Sequence, residues 1–188
     1  MHAVVEVPWP GADRPPWPVA DLAPGSWLVL GGGCSGAQAG TFVWALAGAC
    51  GDGTPEEVIA GLVAEEALIV AGGLRVADSR TGAVVTPGCC AGLEDWRDWA
   101  TVLDGGSPWL GHSPDPAVEV AGDVIRVWQD GGAGRRRSAR VDIPRADLPV
   151  LLDGVQRDLA AFLEVLAGWS GAPALVRAVD DALRISGP

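Results

Sequence analysis

The residues best suited to chemistry are two adjacent cysteines, Cys89 and Cys90, and the histidine His112. Cys89 and Cys90 precede a predicted helix, and His112 follows it. A helix N-terminus lowers the pKa of a nearby thiol and can bind an oxyanion. A cysteine-dependent hydrolase could use either thiol as nucleophile and His112 as general base. Asp95 or Asp115 would then orient the histidine. Spacing alone does not establish a Cys–His pair, so we expect structural thiols and keep the hydrolase as an alternative.

Metal binding is another use of the same side chains. The candidate ligands are Cys34, Cys50, Cys89, Cys90 and His112. The CxxC and HxxxH spacings of zinc sites are absent, and adjacent cysteines rarely both reach one ion. We therefore expect no metal and no cofactor.

A glycine-rich turn offers a different kind of site. Gly31, Gly33 and Gly36 satisfy GxGxxG between a predicted strand and a predicted helix, which is the context of a dinucleotide-binding turn. A Rossmann unit next needs a strand that ends in an acid. Here a second helix follows instead, opened by a capping box of Thr54 and Glu57. Nucleotide binding at Gly31–Gly36 is thus the third functional hypothesis.

The composition restricts the class of partner. The formal net charge is −11, and all 13 basic residues are arginines. Nucleic acids and anionic membranes need a basic surface, so both are excluded as nonspecific partners and a basic protein partner is favoured. No apolar stretch approaches the ~20 residues that span a bilayer, and no signal peptide is visible. We expect a cytoplasmic protein with reduced thiols.

The central stretch also carries the predicted binding surface. Leu93, Trp96, Trp99 and Leu103 recur at helical spacing, which predicts an α-helix with acids on its outer face. Three prolines then hold residues 107–116 in an extended connection. The residues expected to contact a protein partner are Glu94, Asp95, Asp98, Trp109, His112 and Asp115.

The remaining patterns predict a single α+β domain over residues 1–188. Residues 1–25 form an extended wrap rich in proline and tryptophan, 26–87 a glycine turn, helix and meander, and 88–188 the central helix, a hairpin and C-terminal helices. About six short strands form an antiparallel sheet, in one layer or two, packed by a long C-terminal helix and two to four further helices. The strand candidates are 2–7, 26–30, 67–70, 74–77, 83–85, 117–120, 124–129 and 138–143.

One group of motifs carries a resemblance. The pattern is Gly88-Cys89-Cys90, Gly92 to Arg97, Trp99 and Ser107 to His112, followed by Ile143-Pro144-Arg145. It resembles a pattern in uncharacterised actinobacterial proteins, covers residues 88–169 and implies no assigned activity. Small acidic α+β proteins of such genomes also resemble immunity proteins that neutralise basic toxins. The leading hypothesis is therefore a non-enzymatic protein-binding domain, with toxin neutralisation as its most concrete form.

Overall fold

A computed structural model of the chain describes residues 1–9, 14–48, 50, 53–132 and 135–187. The chain forms two compact units. The first unit consists of Met1–Ala3 and Ala71–Gln156, and the second unit consists of Val4–Val70 and Arg157–Pro188. Part of the predicted wrap (residues 10–13) and residues 133–134, between two predicted strands, lie outside the described residues.

The predicted α+β class is confirmed, with two antiparallel sheets and a long C-terminal helix. The strand orders are β2-β1-β3-β4 and β5-β6-β7. The strands are β1 (His2–Glu6), β2 (Trp27–Val29), β3 (Gly72–Ala77), β4 (Val84–Val85), β5 (Ala117–Ala121), β6 (Val124–Trp128) and β7 (Arg140–Pro144). The α-helices are α1 (Gly36–Ala47), α2 (Pro55–Ala64), α3 (Leu148–Ser170) and α4 (Pro173–Leu183). No helix among the described residues is both long and apolar enough to cross a membrane.

The second unit is organised by capped helices and buried aromatic rings. The predicted capping box at α2 is confirmed, because Thr54 accepts from the Glu57 amide and Glu57 accepts from the Thr54 amide. Phe42 and Phe162 meet edge to face with centroids 4.9 Å apart. The Trp17 indole N–H donates to the Gly40 carbonyl at 2.8 Å, which fixes part of the N-terminal wrap against α1.

The first unit contains the second sheet and the central helix. Strands β5 and β6 form the predicted hairpin, in which Ala121 pairs with Val124 across the turn at residues 122–123. Strand β7 pairs with β6, and β3 pairs with β4. Strand β3 also packs against the central helix. Cys89 and Cys90 lie between β4 and the central helix, and His112 lies between the central helix and β5.

The central helix differs from the prediction. Residues Leu93–Asp104 form a 3₁₀ helix rather than an α-helix. Its buried side chains are Leu93, Trp96, Trp99 and Val102, whereas Leu103 is only half-buried. A spacing of three places every third residue on one stripe of a helix with three residues per turn. The fourth buried position therefore moves from residue 103 to residue 102.

The strand prediction for residues 67–70 is wrong. Leu68 and Val70 are buried and Ile69 is exposed, so burial alternates as in a strand. The segment nevertheless does not form a strand, and an isolated bridge between Ala71 and Gly92 follows it. Alternation reports which side chains are buried, whereas a strand also needs a hydrogen-bonded neighbour. The predicted three-stranded meander is therefore the β3–β4 hairpin.

Candidate thiol and imidazole site

A short backbone bridge places Cys89 beside His112. The Cys89 amide donates to the His112 carbonyl at 2.7 Å, and the His112 amide donates to the Cys89 carbonyl at 2.9 Å. The Gly88 amide also donates to the Leu110 carbonyl at 2.8 Å. Three backbone hydrogen bonds thus join the segment before the 3₁₀ helix to the proline-rich segment after it.

Two glycines permit this close approach. A Cβ at Gly88 would lie 2.8 Å from the His112 amide nitrogen, and one at Gly111 would lie 2.6 Å from the Cys89 carbonyl oxygen. Gly111 also has φ +89°, a backbone conformation that residues with side chains rarely adopt. The bridge therefore requires glycine on both sides.

The thiols of Cys89 and Cys90 converge. The Sγ atoms of Cys89 and Cys90 are 3.3 Å apart, and both side chains are exposed. Cys90 has φ +65°, in the left-handed region. Neighbouring side chains in extended backbone point to opposite faces, and the left-handed turn at Cys90 departs from that geometry. The left-handed conformation of Cys90 therefore accompanies the convergence of the two thiols.

The imidazole of His112 completes the cluster. One donor atom from each of Cys89, Cys90 and His112 lies within 4.8 Å of the other two. In the described part of the chain, the hydrogen-bond partner of the ring is the Ser113 hydroxyl, 3.3 Å from Nδ1. The carboxylates of Asp95 and Asp115, which the hydrolase hypothesis assigns to orient the histidine, make no such contact with it.

The start of the 3₁₀ helix carries negative charge. The carboxylate of Glu94 folds over Gly92, where an added Cβ would collide with it. A carboxylate at this position suits the positive end of the helix dipole.

Trp109 lies beside the cluster and lines a small cleft. Its indole N–H donates to the Cys90 carbonyl at 3.1 Å, and its ring centroid is 6.4 Å from that of His112. The Trp109 side chain is 56% exposed, whereas the neighbouring Leu110 is buried. Trp109 also lines a cleft with Trp96, Trp99, Leu110, Pro116 and Asp95.

The remaining predicted binding residues lie on the same unit. Asp98 and Asp115 are both exposed. The Asp115 carbonyl accepts from the Gly131 amide at 2.7 Å, which anchors the residue at the end of the proline-rich segment. Of the six predicted binding residues, the structure places Asp95 and Trp109 in one cleft and His112 next to Trp109.

The other two cysteines are separate from this cluster. Cys34 and Cys50 belong to the second compact unit. Cys34 is half-buried, and its Sγ lies 3.3 Å from the Val29 carbonyl oxygen. Burial raises the pKa of the Cys34 thiol, partly offset by a hydrogen bond to the backbone of Gly31. Cys50 is buried.

The glycine turn at residues 31–36 has its own structural role. Ser35 caps α1 by accepting from the Gln38 amide, and Gln38 accepts from the Ser35 amide in return. Strands β1 and β2 run antiparallel, and α2 follows α1 along the chain. A dinucleotide site needs parallel strands joined by a helix. The described elements around this turn do not supply that arrangement.

Sequence reasoning missed two contributors to the cluster. Ser113 contacts the imidazole, and the left-handed backbone of Cys90 accompanies the convergence of the thiols. The pair Gly88 and Gly111, each next to a candidate residue, is the signal that could have indicated a close backbone approach.

No protein-family model, curated protein or solved structure matches this chain. The resemblance to actinobacterial proteins therefore stays a prediction.

Proposed function

We propose that this is a non-enzymatic, cytoplasmic protein that binds a basic protein partner through the surface around Trp109. Its most concrete form is an immunity-type protein that neutralises a basic toxin.

The observation that carries the proposal is the exposed but anchored indole of Trp109. The ring is 56% exposed while its N–H is bonded to the Cys90 carbonyl. The segment that carries it is held by the bridge between Cys89 and His112. An aromatic side chain that is already ordered loses little conformational entropy on binding, and tryptophan is enriched among residues that dominate interface energies.

Charge supports a basic partner. The chain has a formal charge of −11, and Asp95 shares the cleft with Trp109. Asp98 and Asp115 are exposed on the same unit. Acidic groups around an aromatic anchor would attract a basic protein and repel an acidic one.

The test compares two exposed tryptophans. Wild-type protein, Trp109→Ala and Trp9→Ala serve as baits in a bacterial lysate, followed by affinity measurement with each purified partner. Trp9 is 71% exposed and belongs to the other unit, so its substitution controls for general loss of apolar surface. We expect a basic partner that Trp9→Ala retains and that Trp109→Ala binds at least about 30-fold more weakly, as for a hot-spot residue.

Two results would contradict the proposal. One is that wild-type bait recovers no basic protein in near-stoichiometric amount. The other is that Trp109→Ala binds every recovered partner as tightly as wild type does.

A second candidate, the cysteine-dependent hydrolase, is favoured by the convergence of Cys89, Cys90 and His112. Alkylation at about pH 6 distinguishes the hydrolase from the protein-binding domain, because few unperturbed thiols are ionised at that pH. Rapid labelling of Cys89 or Cys90 that His112→Ala slows would support the enzyme. Slow labelling of all four thiols in both proteins would exclude it.

A further inference from the structure

We infer that Cys89, Cys90 and His112 form a binding site for one thiophilic cation, Zn²⁺ or Cu(I), which share thiolate and imidazole coordination. This site does not depend on the proposed protein partner, and either can fail without the other.

The donor set selects the chemistry. Two thiolates and one imidazole are soft or intermediate ligands, which favour Zn²⁺ and Cu(I) over Mg²⁺ or Ca²⁺. Metal-bound thiolates and imidazoles in zinc sites have Zn–S distances near 2.3 Å and Zn–N distances near 2.0–2.1 Å. Tetrahedral coordination then separates the ligand atoms by about 3.5–4 Å. The observed Sγ–Sγ distance of 3.3 Å and the 4.8 Å limit on the whole cluster bracket that range.

The backbone conformation of Cys90 allows two adjacent cysteines to bind the same ion. Adjacent cysteines rarely bind one ion because extended backbone directs their side chains apart. Here Cys90 has φ +65°, and its Sγ lies 3.3 Å from that of Cys89. A non-glycine residue in the left-handed region carries strain, which is commonest at functional sites. The two thiols are therefore already gathered.

The surroundings hold the ligands in place. The bridge fixes the backbone of Cys89 relative to His112, and the Trp109 indole N–H binds the Cys90 carbonyl. The Ser113 hydroxyl contacts Nδ1 of His112. In metal sites, a hydrogen-bond partner on the ring nitrogen that does not bind the ion orients the histidine.

Access and coordination number follow from exposure. All three ligand residues are exposed, so an ion can reach them from solvent. Three protein ligands leave one position of a tetrahedral Zn²⁺ open, whereas they complete a trigonal site for Cu(I).

The experiment titrates the reduced full chain with Zn²⁺ against a chromophoric chelator. Co²⁺ serves as a spectroscopic probe, since thiolate-to-metal charge transfer reports sulfur ligands, and Mg²⁺ serves as a hard-cation control. The variants are Cys89→Ser, Cys90→Ser and His112→Ala, with Cys34→Ser as the matched control outside the cluster. Circular dichroism checks that each variant is folded.

We expect one Zn²⁺ per chain in wild type and in Cys34→Ser, and no competition from Mg²⁺. Each of the three ligand variants should bind Zn²⁺ at least about 10- to 100-fold more weakly than wild type. That loss is typical when only a hydrogen-bond partner of a metal ligand is removed, and here the ligand itself is removed. Stoichiometric binding that survives His112→Ala unchanged, or the absence of binding by both Zn²⁺ and Cu(I), overturns the site.

A second measurement needs no variant. Zn²⁺ should protect Cys89 and Cys90 of the wild-type chain from alkylation and leave the rate at Cys34 unchanged. Unaltered labelling of Cys89 and Cys90 in saturating Zn²⁺ would contradict the proposal. A parallel titration with Cu(I) distinguishes the two ions. For each ion the competing chelator has a similar affinity, and the ion that the protein retains is the one that the site prefers.

Discussion

Cys89 and His112 are joined through their backbones, with reciprocal amide-to-carbonyl hydrogen bonds of 2.7 and 2.9 Å. Their proximity therefore does not depend on either side chain. Substitution of the thiol or the imidazole removes chemistry while leaving the bridge in place. Disruption of the bridge itself requires a change at the glycines that flank it.

Gly111→Ala tests the bridge. The added Cβ would lie 2.5 Å from the Gly88 carbonyl oxygen, and the residue would have to keep φ +89°. Gly105→Ala is the matched control, because Gly105 has φ +82° and its added Cβ meets no atom of the described residues within 4 Å. We expect Gly105→Ala to cost about 1–2 kcal/mol from the left-handed conformation alone. Gly111→Ala should cost clearly more in urea unfolding. Equal losses would show that the close approach is unimportant.

The cluster could be predicted only in part from the sequence. The residue types at positions 89, 90 and 112 indicate thiol chemistry, and His112 does lie beside the thiols. The missing information was conformational. Nothing in the spacing shows that Cys90 adopts φ +65° or that the backbone at residue 112 pairs with the one at residue 89.

The four thiols should differ in reactivity. Cys89 and Cys90 are exposed, whereas Cys50 is buried. Burial raises the pKa of Cys34, so a smaller fraction is thiolate at neutral pH and its labelling should rise only at more alkaline pH. Mass spectrometry after brief alkylation from pH ~6 to ~9 should show Cys89 and Cys90 modified first. Labelling of Cys34 ahead of both at neutral pH would refute this order.

Gly40 should be required for the docking of Trp17. A Cβ at Gly40 would collide with the Pro18 carbonyl oxygen and lie 2.9 Å from Cδ1 of Trp17. Gly40→Ala should therefore destabilise the protein by about 1–3 kcal/mol, despite the better helix propensity of alanine. Gly61→Ala in α2 is the control, because within the part of the chain that the structure describes its added Cβ meets nothing within 4 Å. It should stabilise by up to about 1 kcal/mol. If Gly40→Ala stabilises as well, the packing account is wrong.

Local signals predicted elements well where the deciding residues are neighbours in sequence. The capping box of Thr54 and Glu57 and the hairpin after the central helix are examples. Strand pairing depends on residues distant in sequence, and this is why residues 67–70 were assigned incorrectly. For the central helix, residues 93, 96 and 99 fit both helix types, so only the next buried residue distinguishes them.

Val102 and Leu103 therefore provide a direct test of the helix type. Val102 is fully buried in the 3₁₀ helix, whereas Leu103 is half-buried. Val102→Ala removes two methyl groups from the core and should cost about 2 kcal/mol. Leu103→Ala removes a larger side chain, yet it should cost less because much of that side chain already contacts water. Urea unfolding of both variants measures the order. An α-helix would bury residue 103 instead, so a larger loss for Leu103→Ala would reverse the assignment and restore the period of 3.6.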